Sequence, residues 1–174
     1  MSNKTPNTRE IFARLYDEYL DKVFRYIQYR VNNIQLAEDL TATVFEKALA
    51  NFGRYSDEKG LLATWLYSIA RNVVIDHYRV NRKRQSVSLE AVAVQPSSAQ
   101  SPEEALEAKD ERERLRTCLA ALPEVEQEIV RLKFGAELNN RQIGQVLGLS
   151  ESNVGTRLYR AIKKMRDSYR ESEK

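Results

Sequence analysis

Residues 139–164 read NNRQIGQVLGLSESNVGTRLYRAIKK and predict two helices joined by a tight corner. Ile143 and Leu147 recur at helical spacing on the first helix. Gly148 can adopt the left-handed conformation that ends this helix, and Ser150 can cap the amide groups that open the second. The stretch therefore indicates a helix–turn–helix.

The second helix of this motif has two distinct faces. At 3.6 residues per turn, one apolar stripe is expected to face the core and consists of Val154, Leu158, Ile162, Met165 and Tyr169. Another face collects groups that can meet phosphates and base edges in a major groove: Asn153, Thr156, Arg157, Arg160, Lys163 and Lys164. A basic helix with a solvated face has the same pattern. The Gly144–Gly148–Val154 spacing favours DNA binding, because a close crossing of the two helices admits only a small residue at Gly144.

The composition indicates an all-α protein. The 174 residues suffice for one medium domain or two small ones, and Gly (6) and Pro (4) are scarce. Apolar residues recur at helical rather than alternating spacing, so we expect little or no sheet. The net charge of +3 is mild. Nucleic-acid affinity must therefore come from local clusters of cations.

Single representatives of two residue types exclude several kinds of site. Cys118 is the only cysteine and His77 the only histidine, so one chain cannot assemble a disulfide, a zinc site or a Cys–His catalytic pair. We expect no metal and no cofactor, with Cys118 a small buried residue. The amino terminus MSNKTPNTRE lacks an apolar signal segment, and no apolar run could span a bilayer. A cytoplasmic protein without membrane insertion is expected.

Two helices are predicted in the first half of the chain, over about residues 8–30 and 36–52. Asn32–Asn33 separates them. The second helix is expected to bury Ala37, Leu40, Val44, Ala48 and Phe52. Its opposite face combines acidic and apolar residues that could dock a partner, although such a face is usually only solvated: Asp39, Ala42, Glu46 and Leu49.

A third helix follows the polar loop of residues 53–62 and has the sequence TWLYSIARNVVIDHYRVNRKR. Its expected core stripe is Trp65, Leu66, Ile69, Val73 and Val80. Aromatic residues alternate with arginines along another line of the helix: Tyr67, Arg71, Tyr78 and Arg82. Guanidinium groups can hold phosphates while rings stack on bases that have left a duplex, and Arg79 adds positive charge. A solvated basic helix end is the alternative.

Residues 85–100, QSVSLEAVAVQPSSAQ, predict a flexible linker between two domains. Ser101 can then cap a new helix, with Pro102 at its first position and Glu104 reaching back as a capping box. This helix is expected to run to about Leu122. A further helix is expected to begin after Pro123, and Gly135 to end it.

With these parts in order, the chain resembles the extracytoplasmic-function (ECF) class of bacterial RNA polymerase sigma factors. Four segments that occur in the family's order and spacing carry the resemblance: LAEDLTATVFEKAL (36–49), TWLYSIARNVVIDHYR (64–79), ALPEVEQEIVRLKF (121–134) and LGLSESNVGTRLYRA (147–161). The resemblance implies a region 2 domain over residues 1–84, the linker 85–100 and a region 4 domain over 101–174. The chain departs from the family pattern at Ala42–Thr43, often Gln–Glu in the family, and at Gly155, often Lys or Arg.

The resemblance also assigns roles to residues. The acidic helix docks on core RNA polymerase, and the loop 53–62 corresponds to a pocket for a flipped-out base. Residues matching positions along the melted minus-ten strand are Arg71, Asn72, Asp76 and Arg79. Residues matching positions that face the minus-thirty-five groove are Ser152, Asn153, Thr156, Tyr159 and Arg160. The partners implied are core polymerase and promoter DNA, and an anti-sigma factor is a further candidate.

We therefore expect a promoter-specificity subunit that directs polymerase to promoters, helps to melt them and is not an enzyme. One rival is a one-component helix–turn–helix regulator that binds duplex DNA as a dimer, which would leave the first domain without a role. Another is a magnesium-dependent nuclease. Against the nuclease, the acidic residues lie scattered on exposed helical faces, and the sequence has no glycine-rich phosphate loop.

Overall fold

The computed structural model describes residues 8–54, 62–84 and 102–171, except for the side chains of Thr8, Arg54 and residues 82–84 and 102–109. These residues form no strand, so the all-α prediction is confirmed. The α-helices of the described residues are α1 (Thr8–Val31), α2 (Ile34–Asn51), α3 (Leu62–Arg84), α4 (Pro102–Ala120), α5 (Glu124–Val130), α6 (Asn140–Leu147) and α7 (Glu151–Glu171).

The chain divides into two compact units, with α1–α3 in the first and α4–α7 in the second. The predicted linker 85–100 lies outside the described residues, as do Ser101 and the predicted capping box that includes it. Most of the loop predicted over 53–62 also lies outside them. Phe52–Arg54 forms a 3-10 turn that extends α2.

The first unit is held by apolar side chains between its three helices. Asn32 has a positive φ of 54°, and the Asn33 side chain then accepts a hydrogen bond from Leu36 N at 2.9 Å, which caps α2. This pair of asparagines sets the corner between α1 and α2, as the sequence predicted. All five predicted core residues of α2 are buried, and on α3 Leu66 and Val73 are buried as well.

The second unit has its own core, in which Leu122, Val130 and Ala161 pack with Leu119, Leu158 and Met165. Pro123 precedes α5, and the chain continues from α5 into a π-helical segment, Arg131–Gly135, as predicted for a helix that ends at Gly135. Cys118 is buried, which confirms the prediction of a small buried residue.

Two predicted core positions are wrong. Val80 is 45% exposed and Ile162 is 39% exposed. Val80 lies near the carboxyl-terminal end of α3. On α7 the buried stripe passes through Ala161, 1% exposed, rather than Ile162. Neighbouring residues differ by about 100° around a helix, so Ile162 falls outside the stripe that Ala161 shares with Val154, Leu158 and Met165.

Candidate nucleic-acid and polymerase interfaces

The corner between α6 and α7 has the geometry of a helix–turn–helix. Gly148 ends α6 in the left-handed conformation, with φ 70° and ψ 33°. Ser150 Oγ then accepts from Asn153 N at 3.2 Å, which confirms the predicted cap of α7. A Cβ on Gly144 would lie 2.5 Å from the carbonyl oxygen of Leu149. Gly144 is thus required by the backbone of the turn itself, rather than by the crossing of the two helices.

A capping box that the sequence analysis missed starts α6. Asn139 Oδ1 accepts from Gln142 N, and Gln142 Oε1 accepts from Asn139 N, both at 2.9 Å. The signal was present in the sequence as Asn-x-x-Gln before an apolar helical repeat. Both helices of the motif are therefore fixed at their amino-terminal ends, which holds α7 in a defined orientation on its own domain.

The predicted groove-facing surface of α7 is largely exposed. The exposed residues are Ser152, Asn153, Thr156, Tyr159, Arg160, Lys163 and Lys164. Tyr159 has 72% of its surface exposed, which is high for a large aromatic ring. Arg160, Lys163 and Lys164 also line one depression of about 390 Å³ beside α7, together with Glu126, Ala161 and Asp167. The structure thus brings three predicted cations together next to a surface that offers hydroxyl, amide and aromatic groups.

Arg157 differs from the other predicted cations of α7. Its Nη1 lies 2.6 Å from Glu126 Oε1 on α5, and its Nε donates to Asn153 Oδ1 at 2.8 Å. The prediction that Arg157 is a direct groove contact is not supported by this position, since its guanidinium is engaged within the domain. Glu126 was missed because no pattern in a sequence reveals a pairing between separate helices.

Tyr67 on α3 does not lie on an exposed face. Its side chain is fully buried and its ring packs edge-on against Tyr26, with ring centroids 5.5 Å apart. Burial raises the pKa of the Tyr67 phenol well above its usual value. Stacking on a base requires an exposed ring face, so the predicted role of Tyr67 is not supported. Tyr67 and Arg71 are four residues apart, so their side chains leave α3 in directions that differ by about 40° around the helix axis. This difference is enough to separate a buried position from a partly exposed one.

The remaining predicted residues of α3 are accessible to different degrees. Asn72, Tyr78 and Arg79 are exposed, whereas Arg71 and Asp76 are half-buried. Arg79 Nη2 pairs with Asp76 Oδ1 at 3.2 Å, and Tyr78 Oη donates to Arg30 O at 3.3 Å. Arg82 lies on α3, but its side chain is outside the described residues. The carboxyl-terminal half of α3 therefore carries the accessible polar, aromatic and basic groups.

The face of α2 opposite its core is exposed at all four predicted positions: Asp39, Ala42, Glu46 and Leu49. Leu49 is 58% exposed, although the other large apolar residues of α2 are covered to a much greater extent. Beside this face lies a groove of about 320 Å³ between α1 and α2, lined by Tyr16, Leu20, Phe24, Glu38, Thr41, Ala42 and Phe45. An apolar groove that adjoins an acidic helix face suits a protein partner.

The described part of the chain contains no group of three or more His, Cys, Asp or Glu side chains that could hold a metal ion. None of its helices is both long enough and apolar enough to cross a membrane.

Comparison with known protein families matches both units of the chain. Residues 15–84 match Sigma-70 region 2, and residues 112–165 match Sigma-70, region 4. The first match covers α2, α3 and most of α1, and the second covers the helix–turn–helix. These are the two segments of the chain in which the exposed faces of α2, α3 and α7 lie.

Individual relatives are similar over most of the chain. The RNA polymerase sigma factor YlaC of Bacillus subtilis is 30% identical, with 95% of this chain and 98% of YlaC covered. The ECF RNA polymerase sigma factor BldN of Streptomyces coelicolor is 34% identical over 88% of this chain, which spans 58% of the length of BldN. Among solved structures, the sigma factor RpoE of Bartonella quintana, crystallised with the anti-sigma factor NepR, has a similar fold. Its TM-score is 0.71 at 18% identity, with 91% of this chain and 96% of that chain covered.

Proposed function

The chain belongs to the ECF class of RNA polymerase sigma factors, which direct the polymerase to promoters, and from this membership we propose how its parts divide that task. Residues 1–84 form the region 2 domain, which binds core polymerase and recognises and melts the minus-ten element. Residues 101–174 form the region 4 domain, which recognises the minus-thirty-five element. Residues 85–100 connect them. The observation that carries the proposal is the exposed face of α7 on a capped helix–turn–helix.

α7 enters the major groove of duplex minus-thirty-five DNA. Support comes from the exposure of Arg160, Lys163 and Lys164 beside one depression, because three neighbouring cations can contact successive phosphates. Ser152, Asn153 and Thr156 supply polar groups at the amino-terminal end of the helix, the end that contacts base edges in helix–turn–helix proteins. The exposed ring of Tyr159 is suited to an apolar contact, for example with a thymine methyl group.

The carboxyl-terminal half of α3 contacts the melted minus-ten strand. Exposed Tyr78 replaces buried Tyr67 as the residue proposed to stack on an unpaired base, because Tyr78 is 44% exposed. Arg79 and Arg71 supply positive charge for the phosphates, and Asn72 supplies an amide. The Nε atom of Arg71 is buried without a hydrogen-bond partner among the described residues, whereas the residue as a whole is half-buried. A phosphate oxygen that reached Arg71 would compensate the desolvation of this guanidinium.

The face of α2 formed by Asp39, Ala42, Glu46 and Leu49 docks on core polymerase. An exposed leucine flanked by carboxylates matches the arrangement of protein interfaces, in which a central apolar contact is surrounded by polar groups. The rim charges Asp39 and Glu46 would steer encounter with a basic partner surface. Burial of Leu49 would slow dissociation.

Sigma factors are DNA-binding regulators rather than catalysts, and we propose that this chain has no catalytic activity of its own. The polymerase then carries out the chemistry, so the chain works where polymerase and chromosome meet, in the cytoplasm. RpoE of Bartonella quintana is bound by an anti-sigma factor. A comparable inhibitor for this chain would act by covering the same exposed faces that the polymerase and the promoter need.

Run-off transcription with purified core polymerase and the full chain tests the proposal. Core alone should give no promoter-specific transcript, and added chain should give one from promoters selected out of a randomised library. Gel shifts distinguish the one-component regulator, which would bind its promoter tightly without core. Tight binding by the isolated chain, combined with no effect on transcription by core, would contradict the proposed function.

A further inference from the structure

A chain of hydrogen bonds connects α5 to the exposed face of α7. Glu126 Oε1 accepts from Arg157 Nη1 at 2.6 Å, and Arg157 Nε donates to Asn153 Oδ1 at 2.8 Å. The Glu126 side chain is only 16% exposed and that of Arg157 is 37% exposed, whereas Asn153 is exposed. The chain therefore begins in a largely buried carboxylate and ends at a residue of the proposed groove-facing surface.

Burial of Glu126 explains why Arg157 points toward α5. The other carboxylate oxygen, Oε2, is buried and has no hydrogen-bond partner among the described residues. A desolvated carboxylate requires a nearby cation, and Arg157 supplies it through a short ionic hydrogen bond. The guanidinium is thus held by Glu126, and this position in turn determines which atom of Asn153 it meets.

The contact with Arg157 fixes the orientation of the Asn153 amide. A guanidinium can only donate hydrogen bonds, so the amide atom next to Arg157 Nε must be the oxygen. The nitrogen, Nδ2, then lies on the other arm of the amide, and no described residue accepts a hydrogen bond from it. The two hydrogens of Nδ2 are consequently free for DNA, whereas Oδ1 has one of its two lone pairs taken by Arg157 and is held on the side of the guanidinium.

We propose that Glu126 and Arg157 are positioning residues that make Asn153 select guanine in the minus-thirty-five element. Guanine presents two adjacent acceptors in the major groove, N7 and O6, which match the two hydrogens of Nδ2. An unrestrained asparagine prefers adenine, because its oxygen accepts from N6 while its nitrogen donates to N7. In this chain Arg157 takes one of the two lone pairs of the oxygen and holds it beside the guanidinium, so that the amide hydrogens rather than the oxygen are presented to a base. The inference rests on the proposed function, in which α7 reads duplex promoter DNA.

The test uses holoenzyme reconstituted from core polymerase and the full chain, with a promoter library randomised across the minus-thirty-five region. The wild-type chain should enrich guanine over adenine by about fivefold or more at one position. Asn153→Ala should abolish the preference at that position and leave the others. Asn153→Asp keeps an acceptor for Arg157 but replaces the NH₂ group with a second acceptor, so the preference should move to cytosine, which presents an N4 donor.

The positioning role has its own readout. The double variant Glu126→Gln with Arg157→Met removes both charges and releases the amide, so adenine should rise to equal or exceed guanine at the Asn153-dependent position. A matched control is Glu113→Gln with Arg116→Met, which removes an ion pair of the same 2.6 Å length on α4 and should change no preference. Thermal unfolding shows whether each variant is folded. Should the double variant not fold, the inference is judged by Asn153→Asp, which changes an exposed residue.

Two results would overturn the inference while leaving the proposed function intact. The first is a wild-type preference for adenine at the position that depends on Asn153. The second is an Asn153→Ala library that is indistinguishable from the wild-type library at every position. A wild-type chain that selects no minus-thirty-five sequence in the presence of core polymerase would instead refute the proposed function itself, and the inference with it.

Discussion

The substitution Gly144→Ala should destabilise the corner between α6 and α7. The new Cβ would lie 2.5 Å from Leu149 O, a backbone atom, so the turn has to move by several tenths of an ångström. That movement would also weaken the bond from Leu149 N to Gly144 O, now 2.9 Å long. Overpacking costs roughly 1–3 kcal/mol and a lost hydrogen bond about 1 kcal/mol, against a gain of about 1 kcal/mol in helix propensity. The net loss is about 1–3 kcal/mol.

Two other glycines of the same motif provide matched controls. At Gly155 an added Cβ would meet only Asn140 Nδ2, at 3.4 Å, so Gly155→Ala should be neutral or stabilising by up to about 1 kcal/mol. At Gly148 there is space for a Cβ but φ is +70°, so Gly148→Ala should cost about 1 kcal/mol through backbone strain alone. The three substitutions add the same methyl group, which meets backbone at Gly144, a side chain at Gly155, and open space on a strained backbone at Gly148.

Scanning calorimetry of the full chain measures these differences. For a domain of this size, each 1 kcal/mol shifts the midpoint of unfolding by about 4–8 °C. The transition of the second unit should fall for Gly144→Ala, while the transition of the first unit stays in place. Promoter selection in the minus-thirty-five region should weaken in parallel. A Gly144→Ala variant that melts like the wild type, or a Gly155→Ala variant that melts lower than Gly144→Ala, would show that the contact with Leu149 O does not set the cost.

Three further predictions concern the other sites. Asp39→Arg with Leu49→Ala should weaken binding to core polymerase roughly fivefold or more in a fluorescence titration, and unchanged affinity of the folded variant would remove α2 from the interface. Arg160→Ala should reduce run-off transcription equally from duplex and pre-melted templates. The double variant Arg71→Ala with Tyr78→Ala should instead regain transcription when the template is pre-melted. Equal recovery of both variants on pre-melted template would mean that the roles assigned to α3 and α7 are wrong. Because the pKa of Tyr67 is raised in the folded state, folded Tyr67 keeps its proton above pH 10 while the unfolded chain loses it. Stability should therefore fall by up to about 1.4 kcal/mol per pH unit in urea titrations above pH 10, and Tyr67→Phe should flatten this fall.

The sequence predicted features that depend on neighbouring residues in the chain. The end of α6 at Gly148 and the cap at Ser150 are local, and both are confirmed. Features that depend on contacts between helices were predicted less well. The four-residue spacing of Tyr67 and Arg71 predicts that both lie along one line of α3. The packing of the first unit nevertheless buries Tyr67 and leaves Arg71 half-exposed.

Arg157 shows the same limit for charged residues. Helical periodicity correctly placed it near the other cations of α7, yet it could not show that a carboxylate from α5 would engage the guanidinium. The pairing partners lie 31 residues apart, in separate helices. A pattern in sequence specifies the face of a helix on which a side chain begins, whereas the end of a long arginine side chain is positioned by whichever acceptor the fold brings near it.

The loss of Arg157 from the proposed DNA contacts changes the expected strength of binding. Under the proposed function, the three cations that line the depression beside α7 would neutralise about three phosphates: Arg160, Lys163 and Lys164. The affinity for duplex DNA would then vary with salt with a slope of about −3 in logarithmic units, modest beside the roughly −10 of a strong DNA-binding repressor. These three contacts alone would hold the chain on a promoter only weakly at physiological salt. In the proposed function, a second attachment, through the α2 face to a polymerase that itself binds DNA, would supply the missing affinity as effective concentration. The exposed leucine on α2 and the three cations beside the α7 depression would then be two parts of one arrangement, in which promoter binding depends on prior binding of the polymerase.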